Sequence, residues 1–262
     1  QALLRIQSAV NSSYNGEAIV IKVLPGVYYE SVDFNPLTTG QISSLTLKGW
    51  GEGAVINAQN TNSCIRSVGN GIGNIVIENL TISNGWSGVQ VNLQNCDRLS
   101  VVNCEITSCT SSAHYGLGIG SNVPTTITNC TITENQSYDT GQGDDTIGCG
   151  LYIVNNTDTP TIVSDCSISN NSANVASAIY MGGSGHFNIR RNRICFNSQG
   201  QDSQRYYIAA SVGGAVIENN LFIDRNLSNC IKVQNSGSTT DVVSIRNNTF
   251  DRFYACISIN SD

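Results

Sequence analysis

Apolar and polar residues alternate along this chain in a short motif that occurs seven times, of the form apolar-x-Asn-polar-x-apolar with small variations. Its first copy is Ile77-Glu78-Asn79-Leu80-Thr81-Ile82, and the seven copies close at residues 82, 106, 132, 168, 194, 222 and 250. The copies are therefore 24 to 36 residues apart. A period of this size indicates one supersecondary unit that stacks on copies of itself.

A second short strand follows each copy, for example Gly150-Leu151-Tyr152-Ile153 and Ala178-Ile179-Tyr180-Met181. Its apolar residues alternate with small or polar ones, as a half-buried strand requires. Two or three such strands in each turn predict an all-β fold, a right-handed parallel β-helix solenoid of roughly nine coils. Asn79 and the equivalent residues of later copies should then stack about 4.8 Å apart, with hydrogen bonds between their side-chain amides along the column.

Two segments resemble known proteins. Residues 18–30 are similar to the entry coil of many parallel β-helix proteins, and residues 160–171 resemble repeats of large bacterial surface proteins. The chain thus resembles the right-handed parallel β-helix superfamily, the pectate-lyase-like fold, and is closest in style to bacterial surface proteins with such repeats. The resemblance implies several functions, because this superfamily holds lyases, hydrolases, esterases, phage tailspikes and non-catalytic adhesins.

The two ends predict the domain organisation. We expect one domain over residues 1–262, with a helical cap over residues 1–12 and coils over residues 17–262. Leu3, Ile6 and Val10 share one helical face that suits covering the first coil. The chain starts at Gln1 and its last strand is followed by no visible cap, so we expect a longer parent chain. An end-to-end or C-terminal domain partner would cover the last coil.

The amino-acid composition argues against some classes of partner and site. Only 12% of the residues are charged and the net charge is −6, which argues against nucleic acid as a partner. No apolar run reaches the roughly 20 residues that a membrane span needs. The ten cysteines lack the paired spacing of a zinc site. Because several hold equivalent repeat positions, such as Cys104, Cys130 and Cys166, they predict a column of buried thiols.

The connections between the two strands vary most in length, so stacking predicts a ridge of loops on one side of the solenoid, where ligands usually bind. Aromatic rings beside carboxylates suit sugar rings. The ligand-binding candidates on this ridge are Trp86, Tyr115, Tyr138, Asp139, Asp202 and Tyr206. We expect no cofactor other than calcium, for which Asp139, Asp144 and Asp145 offer three nearby carboxylates.

The catalytic candidates are Asp144, Asp145, Arg205 and His114. Residues 143–147 resemble the paired-aspartate motif of polygalacturonases, and paired carboxylates serve glycoside hydrolysis as acid and base. The order of motifs departs from that family, since His114 precedes the aspartates. A uronate lyase would need a cation and a basic residue, but Arg190, Glu218 and Arg246 share one repeat position and predict a structural ladder of opposite charges.

These observations favour a non-catalytic secreted or cell-surface module for adhesion, assembly or glycan binding, with a polysaccharide or a cell-surface glycan as partner. The alternative is a polysaccharide-degrading enzyme, a calcium-dependent uronate lyase before a glycoside hydrolase. Convergence of the ridge carboxylates with Arg205 in a groove would favour the enzyme.

Overall fold

The chain forms a right-handed parallel β-helix solenoid, as the sequence predicts. The computed structural model describes residues 5–11, 18–34, 42–69, 72–93, 96–111, 118–137, 150–173, 176–199, 206–224, 229–235 and 242–260. Every pair of neighbouring strands in it is parallel, and neighbours in space come from successive coils. The described strands form three long columns, and a short fourth sheet adds one more strand to four of the coils.

The first column carries the start of each motif. Its separate strands are β1 (Ala18–Val23), β4 (Ile42–Gly49), β7 (Ile72–Glu78), β10 (Arg98–Val102), β14 (Thr125–Thr128), β18 (Thr161–Ser164) and β27 (Val243–Arg246). The second column carries the end of each motif: β2 (Gly26–Tyr28), β5 (Ala54–Asn57), β8 (Thr81–Ser83), β11 (Glu105–Thr107), β15 (Thr131–Thr133), β19 (Ser167–Ser169), β22 (Arg193–Cys195), β25 (Leu221–Ile223) and β28 (Thr249–Asp251).

The third column holds the second strand of the sequence pattern. Its separate strands are β3 (Val32–Asp33), β6 (Ile65–Gly69), β9 (Val89–Leu93), β13 (Ile119–Ser121), β17 (Leu151–Val154), β26 (Asn229–Asn235) and β29 (Ala255–Asn260). Two long strands, β21 (Ala176–Arg190) and β24 (Tyr206–Glu218), run through the third column, bend and continue into the first. Residues 182–186 form a bend within β21, where the register with β24 shifts between Gly183 and His186.

Nine strands, each from a different coil, stack in the second column of the part of the chain that the structure describes. Seven of these coils carry the sequence motif. The two coils before them pass from the first to the second column through other residues, Leu24-Pro25 and Trp50-Gly51-Glu52-Gly53. The motif therefore predicts the seven later coils and does not predict the first two.

The core is a set of vertical stacks of aliphatic side chains. The residues that close the motif pair directly across coils, as Ile82 with Ile106 and Ile106 with Ile132, and all are fully buried as far as Phe222. Phe222 stacks on Phe250 in the last coils, with ring centroids 5.1 Å apart. Because the strand repeat places alternate residues inside, the period-2 pattern alone determines which side chains enter this core.

The recurring Asn column lies at the corner between the first and second columns, and its shared property is a backbone in the left-handed region. Asn79, Asn103, Asn129, Asp165 and the equivalent later residues have φ of 52–59°. Asn and Asp tolerate this conformation better than other residues with a side chain. The predicted hydrogen bond along the column forms between two side chains, where the Asn129 amide donates to the Asn103 side-chain oxygen at 2.7 Å. The longer amide ladder lies one residue further on, inside the corner.

That buried ladder runs through Asn192, Asn220 and Asn248. The side-chain amide of Asn192 donates to the side-chain oxygen of Asn220 at 3.0 Å, and Asn220 donates in the same way to Asn248. Cys130 and Cys166 continue the position in earlier coils, where the Cys166 sulfur accepts a bond from the Cys130 amide at 3.4 Å. Buried polar groups need partners, so the column stabilises one register of the coils.

A short helix, α1 (Ile6–Asn11), covers the first coil. Ile6 and Val10 are buried, as predicted, whereas Leu3 lies outside the described residues. The Glu30 carboxylate accepts bonds from the backbone amides of Ile6 and Gln7 at 2.6 and 3.1 Å. These bonds satisfy two of the amides that a helix leaves free at its start. In the described part of the chain, no helix is long and apolar enough to cross a membrane.

Short strands form the start of the predicted loop ridge in four coils. A fourth, short parallel sheet is formed by β12 (Thr110–Ser111), β16 (Gln136–Ser137), β20 (Ser172–Ala173) and β23 (Ser198–Gln199). The connections on this side of the solenoid therefore begin with two residues of strand at Gln136, Ser172 and Ser198. Parallel stacking gives these residues backbone partners in the neighbouring coil, which a free loop would lack.

Candidate functional site

The outer side of the third column carries the candidate site. Between the inward residues of each strand, one outward position runs through successive coils as Gln90, Gly120, Tyr152 and Tyr180. We call this surface the tyrosine face and define it by these four residues together with Asn92, Asn122 and Asn156. Parallel pairing without a register shift brings the side chains into one line along the solenoid axis, about 4.8 Å apart.

The two tyrosines form a stacked pair. The rings of Tyr152 and Tyr180 are 5.0 Å apart at their centroids and nearly parallel, at 6°. Both side chains are half-buried, and burial raises the pKa of the Tyr180 hydroxyl above its usual value. Stacked aromatic rings keep a fixed position, so the pair presents a rigid apolar surface.

Glycine at position 120 leaves a notch beside Tyr152. A cavity of about 320 Å³ lies there, lined by residues that include Gln90, Gly120, Tyr152 and Val154. Its volume falls in the range of small-molecule sites. One side of the Tyr152 ring stacks on Tyr180, and its register partner in the preceding coil is Gly120, which adds no side chain to the cavity.

Amide side chains form the rim of this cavity. Asn122 donates a hydrogen bond to Asn92 across coils, and the Gln90 side-chain oxygen accepts one from the Ser63 hydroxyl at 3.1 Å. The Asn156 side-chain oxygen accepts from the backbone amide of Ser184 at 3.2 Å. These bonds orient the amides and give the cavity both donors and acceptors.

A buried asparagine holds the chain that carries Asn156. Asn155 accepts from the Thr157 amide at 3.0 Å and donates to the Thr159 carbonyl at 2.8 Å. Opposite it, Gly183 has φ of +98°, and an added Cβ would lie 2.4 Å from the Asn155 carbonyl oxygen. Glycine is required at this bend by both its backbone angle and the close approach.

Of the ligand-binding candidates on the ridge, the described residues include Trp86 and Tyr206. Trp86 is half exposed and its indole nitrogen donates to the Asn60 carbonyl at 2.9 Å. Tyr206 begins β24, with the Lys232 ammonium 5.4 Å from its ring centroid. Four coils separate Trp86 from Tyr206, which is about 19 Å along the axis. The fold therefore does not bring these two aromatic residues into one site.

The remaining candidates lie outside the described residues: His114, Tyr115, Tyr138, Asp139, Asp144, Asp145, Asp202 and Arg205. The predicted calcium position at three of these aspartates is untested for the same reason. Within the described ranges, no group of three or more His, Cys, Asp and Glu side chains is arranged to hold a metal ion.

The charge ladder that the sequence predicts on the first column has the expected register, with Arg190 beside Glu218 and Glu218 beside Arg246. Arg246 pairs with the Glu218 carboxylate at 2.7 Å. The guanidinium Nε of Arg190 is buried without a hydrogen-bond partner. The register and the Glu218–Arg246 ion pair support a structural role for this column.

The thiol column is also confirmed. Cys104, Cys130 and Cys166 are buried and stack through bonds between sulfur atoms and backbone amides. A hydrogen bond with Cys130, together with burial, raises the pKa of the Cys104 thiol, and burial raises that of Cys230. Cys230 in β26 is buried and Cys256 in β29 is exposed, and both are free thiols.

The tyrosine face was not predicted from the sequence, although the signal was present. Tyr152 and Tyr180 occupy the same place in their strands, each after an inward aliphatic residue. The outward positions repeat from coil to coil as the inward ones do, and this repeat places the two rings together with Gly120 beside them. The loop ridge is marked in the sequence by its variable length, whereas this surface lies on regular strands.

Comparisons with known proteins address the family and the fold. A family model described as a right handed beta helix region matches residues 40–194. Among solved structures, the chain is similar to the pectin methylesterase from Aspergillus niger in a deglycosylated and in a penultimately deglycosylated form. Each match has 16% identity and a TM-score of 0.46, and covers 94% of this chain and 81% of that chain. No curated protein matches the sequence. Because the family model spans more than half of its length, this chain belongs to the right-handed β-helix family.

Proposed function

We propose that the protein is a secreted or cell-surface β-helix module that binds glycans on its tyrosine face without chemically altering them. The single observation that carries this proposal is the Tyr152–Tyr180 stack beside the open notch at Gly120. A pyranose ring has one apolar side of C–H groups, which packs on an aromatic ring, and hydroxyls at its edge.

The rim chemistry matches that ligand. Asn92, Asn122 and Asn156 line the cavity and provide amide donors and acceptors for sugar hydroxyls. The site is built on strands whose positions are determined by neighbouring coils, so little order has to be gained on binding. A glycan chain lying along the axis beyond Gln90 would meet Arg66, which is the register partner of Gln90 in the preceding coil.

The experiment is a glycan array of neutral and acidic oligosaccharides, followed by calorimetric titration of the best ligand. We expect Tyr152→Ala and Gly120→Leu to weaken binding by about tenfold or more, which is about 1.4 kcal/mol. The first removes the stacking ring and the second fills the notch. Tyr254→Ala is the matched control, since Tyr254 is 82% exposed and lies outside the tyrosine face. Unchanged binding by both site variants would refute the proposal.

The enzymatic alternative is separated by an activity assay on polygalacturonate, alginate and chondroitin, with and without calcium. Turnover that is lost in the Asp144→Ala/Asp145→Ala double variant would place an active site on the loop ridge and refute a purely binding role. No turnover, with binding that depends on Tyr152, would support the proposed module.

A further inference from the structure

A second cavity lies on a different side of the solenoid, at the corner between the first and second columns. It is a groove of about 630 Å³, lined by Gly51, Glu52, Gly53, Ala54, Asn79, Leu80, Thr81, Asn103, Cys104, Glu105, Asn129 and Thr131. The motif coils turn this corner tightly, but residues 50–53 form a longer turn with positive φ at Gly51 and Gly53. This turn forms one end of the groove.

The floor of the groove presents polar groups at the spacing of the coils. Asn103 and Asn129 are exposed and joined by one amide hydrogen bond of 2.7 Å. That bond uses one donor of Asn129 and one acceptor position of Asn103, so each amide keeps further hydrogen-bonding capacity. The hydroxyls of Thr81 and Thr131 lie beside them. Such an array suits a ligand with many hydroxyl groups.

Two carboxylates give the groove a negative charge. Glu52 and Glu105 are both exposed, and neither forms an ion pair within the described part of the chain. The contact of Glu105 is a long hydrogen bond of 3.4 Å from the Thr81 hydroxyl. The nearby Lys48 is paired with Glu78 at 2.9 Å, so it is engaged outside the groove lining. The net charge of −6 adds a general attraction for cations.

We propose that this groove binds an oligosaccharide of amino sugars whose amines are free, such as a de-N-acetylated glucosamine chain. The asparagine amides and threonine hydroxyls recognise the sugar hydroxyls, and Glu52 and Glu105 bind the ammonium groups through charge-assisted hydrogen bonds. A basic peptide would satisfy the carboxylates but would leave the hydroxyl-binding array unmatched, so the sugar is the better fit to the lining.

The test is calorimetric titration in mildly acidic, low-salt buffer with three probes: a glucosamine hexamer, its fully N-acetylated form and hexalysine. We expect the glucosamine hexamer to bind at least about tenfold more tightly than either of the others. Its affinity should fall as salt is added, because the contacts are electrostatic and exposed. Equal binding of the N-acetylated hexamer, or tighter binding of hexalysine, would overturn the proposal.

Variants locate the site. Glu52→Gln/Glu105→Gln should weaken binding of the glucosamine hexamer by at least about tenfold, whereas Glu134→Gln/Asp158→Asn, which removes the same charge elsewhere on the surface, should change it less than about twofold. An equal loss in both double variants would indicate general attraction and overturn a localised site. Tyr152→Ala should leave binding of the glucosamine hexamer unchanged. The proposal for the groove and the proposal for the tyrosine face are therefore tested separately. Near-identical circular dichroism spectra and melting temperatures confirm that the variants fold.

Discussion

Replacing Asn192 by alanine should destabilise the solenoid strongly, because this side chain connects three coils from inside. Its oxygen accepts from the Cys166 amide at 2.9 Å, and its nitrogen donates to the Val163 carbonyl at 2.9 Å and to Asn220 at 3.0 Å. Asn192 is 2% exposed, so water does not replace the lost partners. Each buried polar group left without a partner costs about 1–3 kcal/mol, and we expect a total loss of about 2–4 kcal/mol.

Two further substitutions at this position separate hydrogen bonding from packing. Asn192→Cys should cost less than alanine, since cysteine occupies the equivalent position at Cys166 and its sulfur accepts an amide hydrogen bond at 3.4 Å. Asn192→Asp should be worse than alanine at neutral pH, because a carboxylate would face the Val163 carbonyl and the Asn220 oxygen. Burial and these acceptors would raise the pKa of the new aspartate in the folded state, so its destabilisation should diminish as pH falls through that raised value.

The assay is urea unfolding followed by circular dichroism, with the free energy of unfolding compared at constant slope. Asn74→Ala is the matched control, since Asn74 is exposed on a strand and its loss should cost less than about 0.5 kcal/mol. A loss for Asn192→Ala as small as that of the control would refute the reasoning. So would an Asn192→Asp variant that is more stable than alanine at neutral pH.

Three further predictions concern other parts of the chain. Alkylation followed by mass mapping should modify the exposed Cys256 thiol in the native protein, whereas Cys104 should react only after unfolding; rapid labelling of Cys104 would contradict its burial. Arg191→Gln should raise the pKa of Asp165, which the ion pair at 2.7 Å holds below its usual value, and carboxyl NMR titration measures the change. Since the folded pKa is depressed, the pair stabilises the protein above the unfolded pKa and this contribution disappears as pH falls through the lowered value; the variant should lack that part of the acid dependence. Gly183→Ala should lower the free energy of unfolding by about 1–3 kcal/mol, because the bend needs positive φ; an unchanged unfolding midpoint would contradict this.

Much of the fold followed from the motif. The closing apolar residues, such as Ile106 and Ile132, were identified as stacked core positions, and the structure pairs them directly. This worked because a strand has a strict period of two and a solenoid repeats each position at each coil. The sequence also shows that Cys166 and Asn192 hold the same repeat position at one corner. Equivalent residues must fill the same buried space, so the two residue types can replace each other there.

Other features were not determined by local pattern. The sequence showed that Asn recurs at a corner, but it did not distinguish a side-chain ladder from a backbone requirement, and the structure shows that the whole column adopts positive φ. The short fourth sheet was missed because two-residue strands of Gln, Ser, Thr and Ala carry no apolar alternation. Their pairing depends on the neighbouring coil, which lies about 25 residues away in the chain.

The sequence by itself determined the solenoid, its coil register, the inward residues and the helical cap, because each of these depends on repeated local patterning. Only the tertiary structure decided which outward residues of different coils lie side by side. Tyr152 meets Tyr180, and Glu52 shares a groove with Glu105, through stacking of coils that are distant in sequence. Whether a surface beside such residues is open or filled depends on single outward residues of neighbouring coils, such as Gly120, and their effect appears only once the coils are stacked.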